Sequence, residues 1–210
     1  MILLIEQTNI CPSDGEIYLA KAFYAPPEAD RLFTDFNRTL AWQEEAVFIF
    51  GKWCKVPRLM CWYGDADAVY RYSGVEHVPL PWTAELPAVK ARVETMSGCP
   101  FNSVLANLYR DGRDSMGYHA DNEKELGLNP VIASLSLGDT RLFRLHHKKR
   151  RENLDIVLEH GDLLIMAGAL QHHWVHALPK TRQAKNPRIN LTFRRILPAT
   201  PPTSNHSKPS

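Results

Sequence analysis

A histidine and an aspartate lie two residues apart in the run GYHADNE, at His119 and Asp121 of this 210-residue chain. Side chains at positions i and i+2 of a strand or its edge point to the same side, so both groups could bind one metal ion. A further histidine would complete the two-histidine, one-carboxylate set of non-haem Fe(II) sites, which leave coordination positions open. The spacing alone leaves two interpretations open: part of a metal site, or a polar loop that binds no metal.

Three candidates for the third ligand follow in QHHWVHALPK: His172, His173 and His176. His176 ends a predicted strand just before a Leu-Pro turn, where a side chain can reach inward at the mouth of a barrel. The residues alone leave the choice among the three open. For each of them the alternative is a surface or core imidazole without a metal.

The segment RINLTFRR, residues 188–195, alternates apolar and polar side chains as a strand with two different faces does. The polar face carries two arginines, and the planar guanidinium group binds carboxylate oxygens in pairs. The arginines are roughly 20 Å apart along a strand, so they suit opposite ends of a site that holds a dicarboxylate and a metal. The alternative is an amphipathic strand with its polar face in water. The polar face comprises Arg188, Asn190, Thr192 and Arg194, and Asn107 with Tyr109 forms another i, i+2 pair.

The elements that must position these groups are mainly strands. Helical spacing predicts helices over 26–40 and 84–97, and Gly98 ends the second. Short strands are predicted over 46–52 and 69–74, and the second half of the chain has an all-β texture. This pattern predicts a mainly β fold with flanking helices and a jelly-roll core, the double-stranded β-helix. The predicted core strands are 101–109, 131–137, 140–145, 154–158, 162–167, 172–178 and 188–196.

Composition narrows the class of protein. With 44% hydrophobic and 23% charged residues, the chain can bury a core. Its apolar runs are too short to cross a bilayer, and MILLIEQTNI at the start predicts a strand, not a signal peptide. Four scattered cysteines favour reduced thiols, hence a cytoplasmic location, or a nuclear one in a eukaryote.

Charge is distributed unevenly along the chain. Residues 1–140 carry a net charge of −7, whereas residues 141–210 carry +9, concentrated in 141–151 and 180–195. A basic cluster beside a possible active site favours a surface that contacts phosphates, and a solvated basic face is the alternative. The tail, residues 198–210, is rich in proline and serine and predicts disorder.

Four motifs occur together and in order: N-x-Y at 107–109, H-x-D at 119–121, W-x-H-x-x-P at 174–179 and R-x-N-x-T-x-R at 188–194. Over residues 45–197 the chain resembles the AlkB family of Fe(II)/2-oxoglutarate-dependent nucleic-acid dealkylases, most closely its duplex-DNA repair branch. The resemblance implies Fe(II) ligation by His119, Asp121 and His176. It also implies that Arg188 meets the distal carboxylate of 2-oxoglutarate and Arg194 the end nearer the metal. The implied 2-oxoglutarate residues are Asn107, Tyr109, Arg188, Asn190 and Arg194.

The resemblance further implies a substrate and a reaction. Fe(II), O2 and 2-oxoglutarate would remove alkyl groups from bases such as 1-methyladenine and 3-methylcytosine in DNA, releasing formaldehyde, succinate and CO2. A base flipped out of the duplex would lie between Tyr72 and His119, near Glu123. Asn122 stands where the family often has an acid, which bears on base selectivity. Phe50 is the predicted tip of a finger that fills the gap left by the base.

Phosphate contacts are predicted for Arg110, Arg113 and the basic run 141–151. We expect residues 1–98 to form an N-terminal extension and nucleotide-recognition lid, with helices packed on the core. Residues 99–197 would form the catalytic double-stranded β-helix of a monomer. The alternatives are a demethylase of RNA or single-stranded DNA, and a barrel that binds nucleic acid without catalysis.

Overall fold

The computed structural model describes residues 8–49, 51–72, 75–83 and 85–198, without the side chains of 47–49, 70–72 and 75–77. Within these ranges the α-helices are α1 (Pro26–Thr39), α2 (Leu86–Ser97) and the short α3 (Leu170–His173), and Lys124–Leu126 form a 3-10 helix. The strands are β1 (Glu16–Ala20), β2 (Gln43–Ile49), β3 (Lys52–Gly64), β4 (Tyr70–Tyr72), β5 (Val75–His77), β6 (Ser103–Tyr109), β7 (Met116–His119), β8 (Ile132–Gly138), β9 (Arg141–His147), β10 (Asn153–Leu158), β11 (Leu163–Ala167), β12 (Trp174–Leu178) and β13 (Arg188–Arg194).

Two antiparallel sheets form the body of the fold. The larger has the order β1-β11-β8-β13-β6-β3-β2, and the smaller has the order β10-β9-β12-β7. Strands β4 and β5 form a separate hairpin. The predicted mainly β fold with a jelly-roll core is confirmed.

Each face of the seven-stranded sheet has its own apolar core. On one face, α1 and α2 bury residues such as Phe36 and Val93 against Leu191 and Phe193 of β13. On the other face, Ile132 and Leu164 belong to a cluster with residues of the smaller sheet, among them Leu145 and Leu158. The larger sheet thus lies between the helices and the smaller sheet. Polar side chains on the face toward the smaller sheet need a pocket, because the rest of that face is packed with apolar residues.

Local chemistry explains where several elements begin and end. Two prolines start α1, where their missing N–H groups leave no helical bond unmade. Gly98 ends α2 at φ 66°, a left-handed conformation that glycine adopts without steric cost. Gly138 closes β8 at φ 91°, and a Cβ there would lie 2.4 Å from the Pro187 carbonyl oxygen, just before β13. Both predicted long helices are confirmed.

Some predicted elements differ from the structure. The strand expected over 172–178 is wrong at its start, because residues 170–173 form a helical turn and β12 begins at Trp174. Strands β1, β5 and β7 were not predicted, and the strand expected over 46–52 includes only the first residue of β3. Of the strand expected over MILLIEQTNI, residues 1–7 lie outside the described residues and 8–10 are not in a strand. Residues 199–210 of the tail also lie outside them.

The first half of the chain contributes to the same sheet as the second. β1 pairs with β11, and β3 pairs with β6. The division into a lid and a core at residue 98 stays a prediction. No described helix has the length and apolar character needed to cross a membrane.

Candidate metal centre and cosubstrate pocket

The register of two neighbouring strands brings the candidate ligands together. His119 on β7 lies directly opposite His176 on β12 in the four-stranded sheet. Their ring centroids are 4.2 Å apart, and Asp121 follows β7 by two residues. One ligand atom from each of the three lies within 4.8 Å of the others. Of the three candidate histidines, His176 is therefore the one that meets the H-x-D pair.

Asp121 is a buried carboxylate with one oxygen unsatisfied. Its Oδ1 accepts a hydrogen bond of 2.8 Å from Arg194 Nη2, whereas Oδ2 has no hydrogen-bond partner. Burial favours the neutral acid, but Arg194 and the two imidazoles outweigh it and lower the pKa of Asp121. A buried anionic oxygen without a donor is expensive unless a cation binds it.

The two imidazoles each have a ring nitrogen that can face a metal. Burial, followed by repulsion from His119, lowers the pKa of His176 to about 3, so this ring is neutral at physiological pH. His119 Nδ1 lies 2.9 Å from the Gly117 carbonyl oxygen, which can only accept, so this nitrogen donates and Nε2 is the ring nitrogen left to face a metal. Two imidazole nitrogens and a carboxylate oxygen are the ligand set that suits Fe(II).

The polar face of β13 forms the wall beside this centre. Arg188 is buried and donates to Ser136 Oγ at 2.8 Å, while its Nε has no partner. Arg194 Nε is likewise buried and unpartnered. Unsatisfied guanidinium donors in a closed site favour an anionic ligand, so the donor set fits 2-oxoglutarate. Eight predicted residues line this one pocket: Asn107, Tyr109, His119, Asp121, His176, Arg188, Asn190 and Arg194.

Sequence reasoning missed several residues that hold this pocket in shape. Ser134 Oγ accepts from Asn190 Nδ2 at 2.7 Å, and Ser136 contacts Arg188. Gln171 Oε1 accepts from the backbone N–H of Asp121 at 3.0 Å. Alternation in the predicted strand 131–137 could have placed both serines on one face. No local pattern indicates Gln171.

A second cavity, of about 210 Å³, adjoins the metal centre and shares His119 and Asp121 with it. Arg58, Trp62 and Glu123 contribute to its walls. The Oε2 of Glu123 is buried without a hydrogen-bond partner, so this cavity offers an acceptor to a ligand. The position suits a substrate whose reacting carbon must approach the metal.

The other predicted substrate contacts either lie outside the described part of the structure or bind other residues of the protein. Phe50 lies outside the described residues, as does the side chain of Tyr72. Arg110 binds Asp114 through two hydrogen bonds, and Arg113 binds Asp111, so contact of either arginine with phosphate stays a prediction.

The prediction that the basic run 141–151 contacts phosphates is wrong for its first residue. Arg141 is only 3% exposed and donates to backbone carbonyl groups, so it is not part of a surface that contacts phosphates.

A second group of two histidines and an aspartate lies elsewhere in the described part of the chain: Asp14, His147 and His173. His147 Nδ1 accepts from the backbone N–H groups of Lys149 and Arg150 at 3.1 and 2.9 Å. Its Nε2 therefore carries the proton and donates to Asp14 Oδ2 at 3.2 Å. Both ring nitrogens are used within the protein, so this group does not have a free ligand set.

Comparison with known proteins gives the family. The model of the 2OG-Fe(II) oxygenase superfamily matches residues 16–194. DNA oxidative demethylase ALKBH2 of Bos taurus is 40% identical over 192 residues, covering 86% of this chain and 69% of the relative. Alpha-ketoglutarate-dependent dioxygenase alkB homolog 3 of Bos taurus is 39% identical over 194 residues, covering 88% of this chain and 67% of the relative.

Solved structures agree on the fold. OsALKBH1 superposes with a TM-score of 0.62 at 18% identity, covering 85% of this chain and 96% of that one. An oxidoreductase of the 2OG-Fe(II) oxygenase family from Burkholderia pseudomallei gives a TM-score of 0.56 at 14% identity, with 89% and 87% covered. The chain belongs to the AlkB family of the 2OG-Fe(II) oxygenase superfamily and is an Fe(II)/2-oxoglutarate-dependent dioxygenase.

Proposed function

We propose that this protein oxidatively dealkylates N-alkylated bases in DNA, such as 1-methyladenine and 3-methylcytosine. The observation that carries the proposal is the His119–Asp121–His176 set, in which Asp121 and His176 are buried and Asp121 Oδ2 has no hydrogen-bond partner. This set borders both a cosubstrate pocket and an outer cavity. The relatives named DNA oxidative demethylase supply the substrate class. We infer a monomer that acts on duplex DNA, in the cytoplasm or, in a eukaryote, the nucleus.

In this proposal, His119, Asp121 and His176 hold Fe(II). When bound, Fe(II) and 2-oxoglutarate supply the oxidation of a C–H bond by O2, with 2-oxoglutarate converted to succinate and CO2. An N-methyl group becomes N-hydroxymethyl, which breaks at the C–N bond to give formaldehyde and the unmodified base. No protein nucleophile is required, because the bond to nitrogen breaks without covalent attachment to the protein.

The chain's own groups orient the two reactants. Arg188 binds the distal carboxylate of 2-oxoglutarate, and Arg194 sits at the metal end, where it already donates to Asp121. Asn107, Tyr109 and Asn190 complete the cosubstrate pocket. In the outer cavity, the free oxygen of Glu123 accepts a hydrogen bond from the base, which is stacked between Tyr72 and His119.

The direct test is formaldehyde and succinate release from an oligonucleotide with one 3-methylcytosine, in the presence of Fe(II) and 2-oxoglutarate. We expect one formaldehyde for each methyl group removed, with the unmodified base in the product. An unmethylated oligonucleotide of the same sequence is the control. Binding of DNA without product, at full metal loading, would support the non-catalytic barrel instead.

Substituting the proposed finger distinguishes duplex from single-stranded substrates. If Phe50 fills the gap left by a flipped base, Phe50→Ala should lower turnover of methylated duplex by about tenfold, since the cost of unstacking is no longer offset. Turnover of the same oligonucleotide as a single strand should stay unchanged. Equal rates for wild type and variant on both forms would favour the RNA or single-stranded alternative.

A further inference from the structure

Arg58 of β3 is a buried arginine, 8% exposed, with no carboxylate partner among the described residues. Buried guanidinium groups are normally paired, so the few groups that this one contacts indicate its role. It lines the outer cavity, and β3 lies next to β6 in the seven-stranded sheet. It therefore stands between the outer cavity and the strand that carries Asn107.

One of the two hydrogen bonds of Arg58 reaches a residue of the cosubstrate pocket. Its Nε donates to Asn107 Oδ1 at 2.7 Å, and its Nη1 contacts the Ser115 carbonyl oxygen at 3.4 Å. An arginine can only donate, so the atom of Asn107 that faces it must be the amide oxygen. The amide nitrogen is thereby turned away from Arg58.

Asn107 has a donor left over. The side chain is 2% exposed and lines the cosubstrate pocket, and the described part of the chain gives its Nδ2 no hydrogen-bond partner. An asparagine amide that rotated by half a turn would present oxygen, not N–H, to the pocket, and an oxygen repels a carboxylate. One contact thus decides whether Asn107 attracts or repels an acid.

We propose that Arg58 is a positioning residue for 2-oxoglutarate: it holds the Asn107 amide so that the Nδ2 hydrogens are presented to the cosubstrate. The inference rests on the proposed function, because it takes Asn107 as a cosubstrate contact. Arg58 itself need not touch the acid. Loss of Arg58 should therefore weaken the binding of 2-oxoglutarate, with little change in metal binding or in the chemical step.

The test is calorimetric titration of 2-oxoglutarate into the protein loaded with Mn(II), which does not support turnover. Arg58→Met keeps the apolar stem and removes the donor, whereas Arg58→Gln keeps an N–H donor without the charge. We expect the Kd to rise about tenfold in Arg58→Met, the effect of one buried hydrogen bond, and to stay within about threefold of wild type in Arg58→Gln. In assays of turnover, the KM for 2-oxoglutarate should rise while kcat changes little.

Arg188→Ala, titrated in the same way, separates the two proposals. Failure of the wild-type protein to bind 2-oxoglutarate would contradict the proposed function itself. Wild-type affinity in a folded Arg58→Met variant, with weak binding in Arg188→Ala, would overturn the Arg58 inference alone. Equal losses in Arg58→Met and Arg58→Gln would also overturn it, because they would assign the effect to charge or packing.

A second variant covers the case in which Arg58→Met does not fold. Asn107→Asp keeps a hydrogen-bond acceptor for Arg58, so the melting temperature should be retained, but it replaces the Nδ2 donor with an oxygen. We expect 2-oxoglutarate binding to weaken by more than about tenfold. Undiminished binding would contradict the role assigned to the amide.

Discussion

Two groups of two histidines and an aspartate lie in the described part of this fold, and they differ in whether their polar atoms have hydrogen-bond partners within the protein. In the Asp14–His147–His173 group, both nitrogens of His147 are hydrogen-bonded, and Asp14 also binds Arg150. In the His119–Asp121–His176 group, a buried carboxylate oxygen has no partner. Residue type is the same in both, so unsatisfied atoms beside a pocket are the better indicator of a metal site.

Removing a predicted ligand should have the largest effect. His176→Ala should abolish formaldehyde release, a loss greater than the 10–100-fold range typical of outer-shell residues, and hence more than about 100-fold. His172→Ala is the matched control, because His172 is exposed in the helical turn of α3. Comparable losses in both variants would remove the distinction between the two histidines.

Removing Arg188, the predicted contact of the distal carboxylate of 2-oxoglutarate, should give the next largest effect. Arg188→Ala should raise the Kd for 2-oxoglutarate by about 100-fold, because a buried charge pair loses one partner. DNA affinity, measured by fluorescence anisotropy, should stay within about twofold, since Arg188 lies in the inner pocket. A parallel loss of DNA affinity would mean that the role of Arg188 is misassigned.

Gln171 offers an intermediate test, because it holds the backbone of Asp121 without being a ligand. Gln171→Ala should weaken Mn(II) binding by about tenfold, as loss of an outer-shell contact does. The measurement is metal titration followed by electron paramagnetic resonance of free Mn(II). Unchanged metal affinity would show that Asp121 keeps its place without this contact.

Substitution in the Asp14–His147–His173 group should lower the stability of the fold without changing metal binding. His147→Ala leaves backbone donors unsatisfied, so we expect the free energy of unfolding to fall by about 2 kcal/mol in urea titration. Mn(II) should still raise the melting temperature of this variant as much as that of wild type, since binding to the native state stabilises it. Loss of the Mn(II)-dependent rise in His147→Ala would make the two groups functionally alike.

The sequence was informative where the signal is local. Alternation in RINLTFRR predicted strand β13 and its two faces, and the H-x-D spacing predicted two groups that the fold brings together. Spacing alone did not choose among His172, His173 and His176, because that depends on the register between β7 and β12. The resemblance to the AlkB family was needed to indicate His176. Strand pairing is set by contacts distant in sequence, which a reading of one chain does not contain.

Arg58 and Gln171 illustrate what remained hidden. Each is a polar residue whose partner is about fifty positions away, at Asn107 and Asp121 respectively. Such contacts leave no periodicity or spacing in the sequence. They become visible only when burial and hydrogen bonding are known, which is why these supporting residues were missed while the candidate ligands were identified.

Strand β13 is the central strand of the larger sheet, and every one of its seven residues is buried. One face of β13 packs in the hydrophobic core and the other lines the proposed cosubstrate pocket, so a substitution at any of its positions should affect packing or the pocket. Changing the acid that the enzyme consumes would therefore mean rebuilding the middle of the protein. The outer cavity takes only Arg194 from β13 and is lined mostly by β3 and by residues 116–123, so its wall offers positions for changing base preference without rebuilding the central strand.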